Sequence, residues 1–109
     1  MSKDDDKSPK GDAPLIDPVV DSPARLAVLK ILRAVKEADF VFLRRETGLT
    51  DGNLSSHLAR LEAAGYITIE KKFVGKIPRT DVRLTKAGRV ALKLYQDQVS
   101  KALKDRTDG

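Results

Sequence analysis

The amino-acid sequence predicts a mainly α fold with a small β-hairpin, on three observations. Apolar residues recur at helical spacing in segments that stop at Gly48 and Gly65, the period changes from 3.6 to 2 directly after Gly65, and helical spacing resumes after Thr85. With 109 residues and 40% hydrophobic content, the chain supports one compact domain rather than two.

The first helix opens at Ser22, whose hydroxyl suits an N-cap, with Pro23 presetting φ at the first helical position. It is expected to reach Val35 or Lys36, with Ala24, Val28, Ile31, Leu32 and Val35 as its core stripe. Leu26 and Leu29 fall outside that stripe. They form a second apolar surface for a partner subunit or for the covering arm of residues 15–20, which is apolar but interrupted by Asp17 and Pro18. The second helix starts after Asp39 and ends near Thr47, because Gly48 can take the left-handed conformation of a helix terminus. Leu49 plugs the following turn and Thr50 caps a third helix from Asp51 to Ala64, with Leu54, Leu58 and Leu61 at i, i+4 and i+7. Gly65 closes it. Helix, short glycine-containing turn, helix is the signature of a helix-turn-helix.

Two antiparallel strands follow: Ile67, Ile69 and Lys71 alternate with Thr68, Glu70 and Lys72, and Val82 and Leu84 alternate with Asp81 and Arg83. The connection, residues 73–79, contains Gly75 and Pro78 and has a basic tip. Thr85 then caps a last helix to about Leu103. That helix carries two apolar stripes, Ala87, Val90, Ala91 and Leu94 on one side and Leu92, Val99 and Leu103 on another. A domain this small has little with which to bury the second, so a two-fold dimer is expected on this helix through Leu92, Leu94, Tyr95, Val99 and Leu103, complemented by Leu26 and Leu29. The pattern sums to a winged helix-turn-helix with an added C-terminal dimerisation helix. Residues 15–104 make the domain, 1–14 a disordered tail poor in apolar groups, and 105–109 a flexible end.

The net charge is +5, unevenly placed. Residues 1–21 hold six acids against three lysines, a net −3, which leaves +8 on residues 22–109. So positive a domain suits a polyanion. Cysteine is absent, which excludes a disulfide framework, a thiolate metal site and a catalytic thiol, and fits a reducing cytoplasm. No apolar run approaches a membrane span, and the start lacks the apolar region of a signal peptide, so a soluble cytoplasmic protein is expected.

On a wheel centred on Leu54, Leu58 and Leu61, the opposite face of the third helix shows Gly52, Ser56 and Arg60, flanked by Asn53, Ser55 and Ala59. Small residues let a helix approach the major groove, and Asn, Ser and Arg can meet base edges and phosphates. Thr50 and Asp51 at the start of the helix complete the candidate contact set. Two roles are open to His57: a phosphate contact, or a structural histidine between the second and third helices. The hairpin supplies Lys71, Lys72, Lys76 and Arg79 with no acid among residues 71–79. The lysines are expected to hold phosphates, while Arg79 or Lys76 inserts into a narrow minor groove.

This order of motifs resembles the MarR/ArsR-type winged-helix transcriptional regulators, in their short single-domain branch. The resemblance covers residues 22 to about 98. It is carried by Thr47-Gly48-Leu49-Thr50-Asp51-Gly52-Asn53-Leu54-Ser55-Ser56-His57-Leu58, by Leu61-Glu62-Ala63-Ala64-Gly65-Tyr66-Ile67 and by Leu84-Thr85-Lys86-Ala87-Gly88-Arg89. It implies three helices, a two-stranded wing, a C-terminal dimerisation helix, a recognition helix at residues 51–64, and sequence-specific binding of double-stranded DNA by a homodimer. Members of the family commonly sense small molecules, metals or oxidants. Metal sensing through cysteine cannot carry over to this chain, and the residues mark no effector pocket.

An enzyme is not expected: Ser55 and Ser56 are too near His57 in sequence to face it on a helix, and no acyl-transfer triad is visible. The pair Gly75-Lys76 is no phosphate loop, since Glu70 and Ile77 stand where that motif needs Gly and Ser or Thr. No cofactor and no metal site is expected. The alternative function is a winged helix used as a protein-interaction module without DNA readout. An acidic or apolar third helix would favour it, and this helix is neither. RNA is disfavoured because Phe73 is the only aromatic near the wing.

Overall fold

The computed structural model describes residues 16–108; the expected tail at residues 1–14 lies outside the described residues. The element order is α1 (Pro23–Val35), β1 (Glu37–Asp39), α2 (Phe40–Thr47), α3 (Asp51–Ala63), β2 (Ile67–Val74), β3 (Ile77–Leu84) and α4 (Lys86–Asp108). The three strands form one antiparallel sheet in the order β1-β3-β2.

Each of the first three helices begins on the cap its sequence offers. Ser22 Oγ accepts from Arg25 N at 3.3 Å, Asp39 Oδ1 from Phe42 N at 2.7 Å, and Thr50 Oγ1 from Asn53 N at 3.1 Å. The αL residue Gly48, at φ 74°, ends α2 and sets the short turn into α3. The end of α1 uses a lysine instead of a glycine, since Lys36 adopts φ 75° and turns the chain into β1.

Leu29, Leu32, Leu43, Leu54, Leu61, Ile67, Val82 and Leu92 form the fully covered centre, where α1, α2, α3, the sheet and α4 meet. Several sequence expectations change here. The core face of α1 is Val28, Leu29 and Leu32, whereas Val35 is 44% exposed. Leu29 and Leu92, assigned to the dimer surface, are completely buried within their own chain, so neither can meet a partner. The α4 stripes are thus reversed: Leu92 faces the core, and Ala87, Val90 and Leu94 stay exposed. Leu26 and Val99 are half-buried, and with Tyr95 and Leu103 they line a crevice between α1 and α4 of one chain. The hairpin is also longer than expected, because Phe73, Pro78 and Arg79 lie in the strands and only Gly75 and Lys76 turn. Finally, α4 runs on to Asp108, through most of the stretch expected to be a flexible end.

The docking of α4 has a local cause. Thr85 donates its N–H to Tyr66 O at 3.0 Å and its hydroxyl to Gly65 O at 2.7 Å, while that hydroxyl accepts from Gly88 N at 3.0 Å. Gly88 lets the first turn of α4 lie against this strand entrance, since a Cβ there would stand 2.1 Å from Tyr66 O. Two motifs separated by the whole hairpin are therefore one contact.

The expected arm is a turn ahead of α1. Val20 is fully buried, and Arg25 clamps the turn by donating from Nε to Val19 O at 2.6 Å and from Nη2 to Pro18 O at 3.4 Å. Asp17 accepts from Val19 N at 2.9 Å and from the Tyr66 hydroxyl. That carboxylate, with burial adding to it, pushes the Tyr66 phenol up to about 12.

Candidate nucleic-acid interface

Burial of Leu54, Leu58 and Leu61 turns the opposite face of α3 to solvent, so that Gly52, Asn53, Ser55, Ser56, Ala59 and Arg60 are all exposed. At Gly52 nothing lies within 4 Å of an added Cβ, which leaves the start of the helix open to close approach by a ligand backbone. The helix N-terminus adds its partial positive charge to this end. Thr50 is occupied as the cap, and Asp51 is held by Arg44 Nη1 at 2.9 Å across the turn between α2 and α3.

An open groove of about 610 Å³ separates α3 from the hairpin. Asp51, Ser55, Ala59 and Glu62 line one wall, and Ile69, Lys71 and Thr80 line the other. Lys71 and Thr80 are cross-strand partners and so share a face of the hairpin. Of the four expected wing cations, Lys71 alone is brought to this groove, and Lys76 occupies the turn.

Lys72 and Arg79 are also cross-strand partners, one residue further along, and therefore lie on the opposite face. There they share the carboxylate of Asp81, which is buried: Arg79 Nε donates to Oδ1 at 2.7 Å, and Lys72 Nζ stands 3.1 Å from Oδ2. Arg79 Nη2 also stands 3.8 Å from Asp39, the cap of α2. The hydrogen bonds from Arg79 and Lys72 hold the Asp81 carboxyl below its ordinary range against the opposing effect of burial, and both cations are stabilised in turn. Of the two residues expected to insert into a minor groove, Arg79 or Lys76, Arg79 is thus engaged by Asp81 and Asp39 at the base of the hairpin, and Lys76 stands at its turn.

His57 is partnered from α1, not from the α2 side expected of a structural histidine. The half-buried ring takes a hydrogen bond at Nδ1 from Arg25 Nη1 at 3.0 Å. Since a guanidinium only donates, Nδ1 is the acceptor and Nε2 carries the hydrogen. Arg25 so joins the arm, α1 and α3 through one side chain.

Sequence reasoning missed three features of this region. Asp81 was read as an ordinary member of an alternating strand; the pattern Arg79-x-Asp81, which puts both on one strand face, was the available signal. Arg44 and Arg45 end α2 as exposed cations beside the start of α3, with no motif to mark them. Phe73, Val74 and Ile77 leave an apolar tip on the hairpin, 70%, 54% and 69% exposed.

Comparison with known proteins agrees with this geometry. A family model described as a winged helix DNA-binding domain matches residues 24–103. An uncharacterized protein of Methanocaldococcus jannaschii is 34% identical over 77 residues, which is 71% of this chain and 84% of that protein. A transcriptional regulator homologue from Pyrococcus horikoshii has a similar structure at 31% identity, with a TM-score of 0.74 over 84% of this chain and 89% of that one. The fold is also that of a mutant MarR from E. coli complexed with operator DNA, at TM-score 0.66 and 22% identity, covering 82% of this chain and 63% of that one. From the match across residues 24–103 and this kinship, the chain belongs to the winged helix DNA-binding domain family, with a MarR-type fold.

Proposed function

We propose that this protein is a transcriptional regulator that binds double-stranded DNA as a homodimer and reads its sequence with α3. The observation that carries the reading is the exposed face of α3, small and polar with Arg60 near its end, set across an open groove from Lys71. Asn53, Ser55, Ser56 and Arg60 are then the base-facing set in the major groove, and Arg45, Lys71 and Lys76 hold phosphates on either side. The operator complex of the MarR relative supports the same use of the fold.

The homodimer rests on α4. Val90 and Leu94 are 58% and 55% exposed, in line with Ala87 on one helix face, and this stripe replaces Leu29 and Leu92 as the partner surface. Two copies joined there would present two α3 helices to half-sites about one helical turn apart.

The test is selection of bound genomic fragments by the purified chain, followed by titration of an enriched duplex over a range of salt. Enrichment of a pseudo-palindrome is expected, together with a log–log salt slope of about 0.9 for each phosphate neutralised. Affinity that ignores both sequence and salt would refute the proposal and leave a protein-interaction module as the reading.

A further inference from the structure

We propose that the tip of the β2–β3 hairpin is an apolar wedge that enters the minor groove of duplex DNA and unstacks a base step. The inference rests on the DNA-binding reading above and goes beyond it, to the way the wing engages and deforms the duplex.

The register places Phe73 opposite Pro78 and Val74 opposite Ile77, around a turn of Gly75 and Lys76. Because neighbouring pairs point to opposite faces, the tip is apolar on both sides. Phe73 and Pro78 continue the face of Lys71 and Thr80, the one that fronts α3. Val74 and Ile77 continue the face of Lys72 and Arg79. Phe73, Val74 and Ile77 are exposed, and every residue from 70 to 79 is exposed with them, so the tip projects away from the core. Strand propensity at a solvated hairpin end is met equally by polar β-branched residues such as threonine, so Phe73, Val74 and Ile77 leave apolar surface that the fold itself does not cover.

Size and charge identify the occupant. Five residues beyond Ile69 reach about 16 Å at about 3.3 Å per residue, against a minor-groove depth of about 7.5 Å. The two-stranded ribbon as a whole is broader than a groove about 6 Å wide, so only the apolar side chains around its turn enter, and such wedges open the groove further. Gly75, at φ 64°, permits the tight turn. Lys71 and Lys76 form no ion pair among the described residues, so cations without partners rim an apolar point. Phosphates along the groove walls and apolar sugar and base edges within match both properties, and aliphatic or aromatic side chains set between base steps are a recognised means of kinking a duplex. Arg79, paired within β3 to Asp81 and standing 3.8 Å from Asp39, links the base of the hairpin to β1 and to the cap of α2.

The test compares the full chain with a Phe73→Thr/Ile77→Thr double variant, in which threonine retains strand propensity and no charge changes. The probe is an A·T-rich duplex carrying 2-aminopurine beside a flexible TA step, with fluorescence read on titration. The unaltered chain is expected to raise the fluorescence, reporting unstacking. The double variant should abolish that rise and bind about tenfold more weakly, with the salt slope unchanged. Equal affinity and equal fluorescence for the two proteins would overturn the wedge while leaving duplex binding intact. Weaker binding by the variant with no fluorescence rise from either protein would also overturn it, making the tip a surface contact. A change in sedimentation of the DNA-free variant would overturn it too, assigning the tip to a second copy. No binding of the duplex by the unaltered chain would remove both this inference and the reading beneath it.

Discussion

Replacing Gly88 by alanine sets two effects against each other, and the structure decides the winner. Gly88 lies within α4, where alanine is intrinsically favoured over glycine by about 1 kcal/mol. Yet a Cβ at this position would stand 2.1 Å from Tyr66 O, 2.9 Å from Tyr66 C and 2.8 Å from a methyl of Leu84. The carbonyl cannot rotate aside, because it accepts the Thr85 N–H at 3.0 Å and belongs to the chain entering β2. Relief requires α4 to retreat by about 1 Å, which strains that hydrogen bond and loosens the cover over Leu84 and Leu92. Overpacking costs about 1–3 kcal/mol and a weakened hydrogen bond adds about 1 kcal/mol. After the propensity gain, a net loss of about 2 kcal/mol is expected, or a fall in Tm of roughly 8–16 °C for a domain of this size. Thermal melting by circular dichroism, at one chain concentration for both proteins, measures it. A Gly88→Ala variant that melts at the same temperature or higher would refute the reasoning, because propensity alone would then rule the site.

Further outcomes follow from the same contacts. Leu92→Ala should destabilise by about 2–5 kcal/mol, as a fully buried leucine does. Leu94→Ser should retain the helical content and shift sedimentation toward monomer; the reverse pattern would restore Leu92 to the partner surface. Arg60→Ala should cost about 1–3 kcal/mol on an enriched duplex and relax preference at one position, whereas Lys71→Ala should lower the salt slope by about 1 on any duplex. Identical losses on specific and random duplexes for both variants would deny sequence reading to α3. Both tyrosines should ionise above their ordinary value of 10.0 in an ultraviolet titration, Tyr66 at about 12, since each donates to a carboxylate, Asp17 or Asp21. The stabilisation from Tyr66 is complete below 10.0 and is lost as pH rises through about 12. Asp17→Asn should bring the Tyr66 transition down, and an unmoved transition would sever the link.

The sequence by itself determined the helices, the wing and the face of α3, because their signals are local. An N-cap needs its hydroxyl or carboxylate within three residues, a left-handed terminus needs its glycine in place, and a buried leucine stripe at 3.6 spacing leaves the opposite face to solvent wherever the helix lies. Ser22, Asp39, Thr50, Gly48 and Leu54-Leu58-Leu61 were all legible on those grounds. Strand β1 was not: it is three residues long, its pattern lacks alternating apolar groups, and the turn before it is made by Lys36 where a glycine would have marked it. The cations of the wing could be counted but not sorted, since their roles depend on Asp81 and Asp39, brought together only when β1 and β2 flank β3. The same limit applies to α4. Periodicity reveals that a helix has two apolar stripes and is silent on which meets the core; that was decided by Thr85 and Gly88 docking the first turn against Gly65 and Tyr66, which rotates Leu92 inward and leaves Val90 and Leu94 outside. Spacing along a chain defines faces, and only contact between distant segments chooses among them.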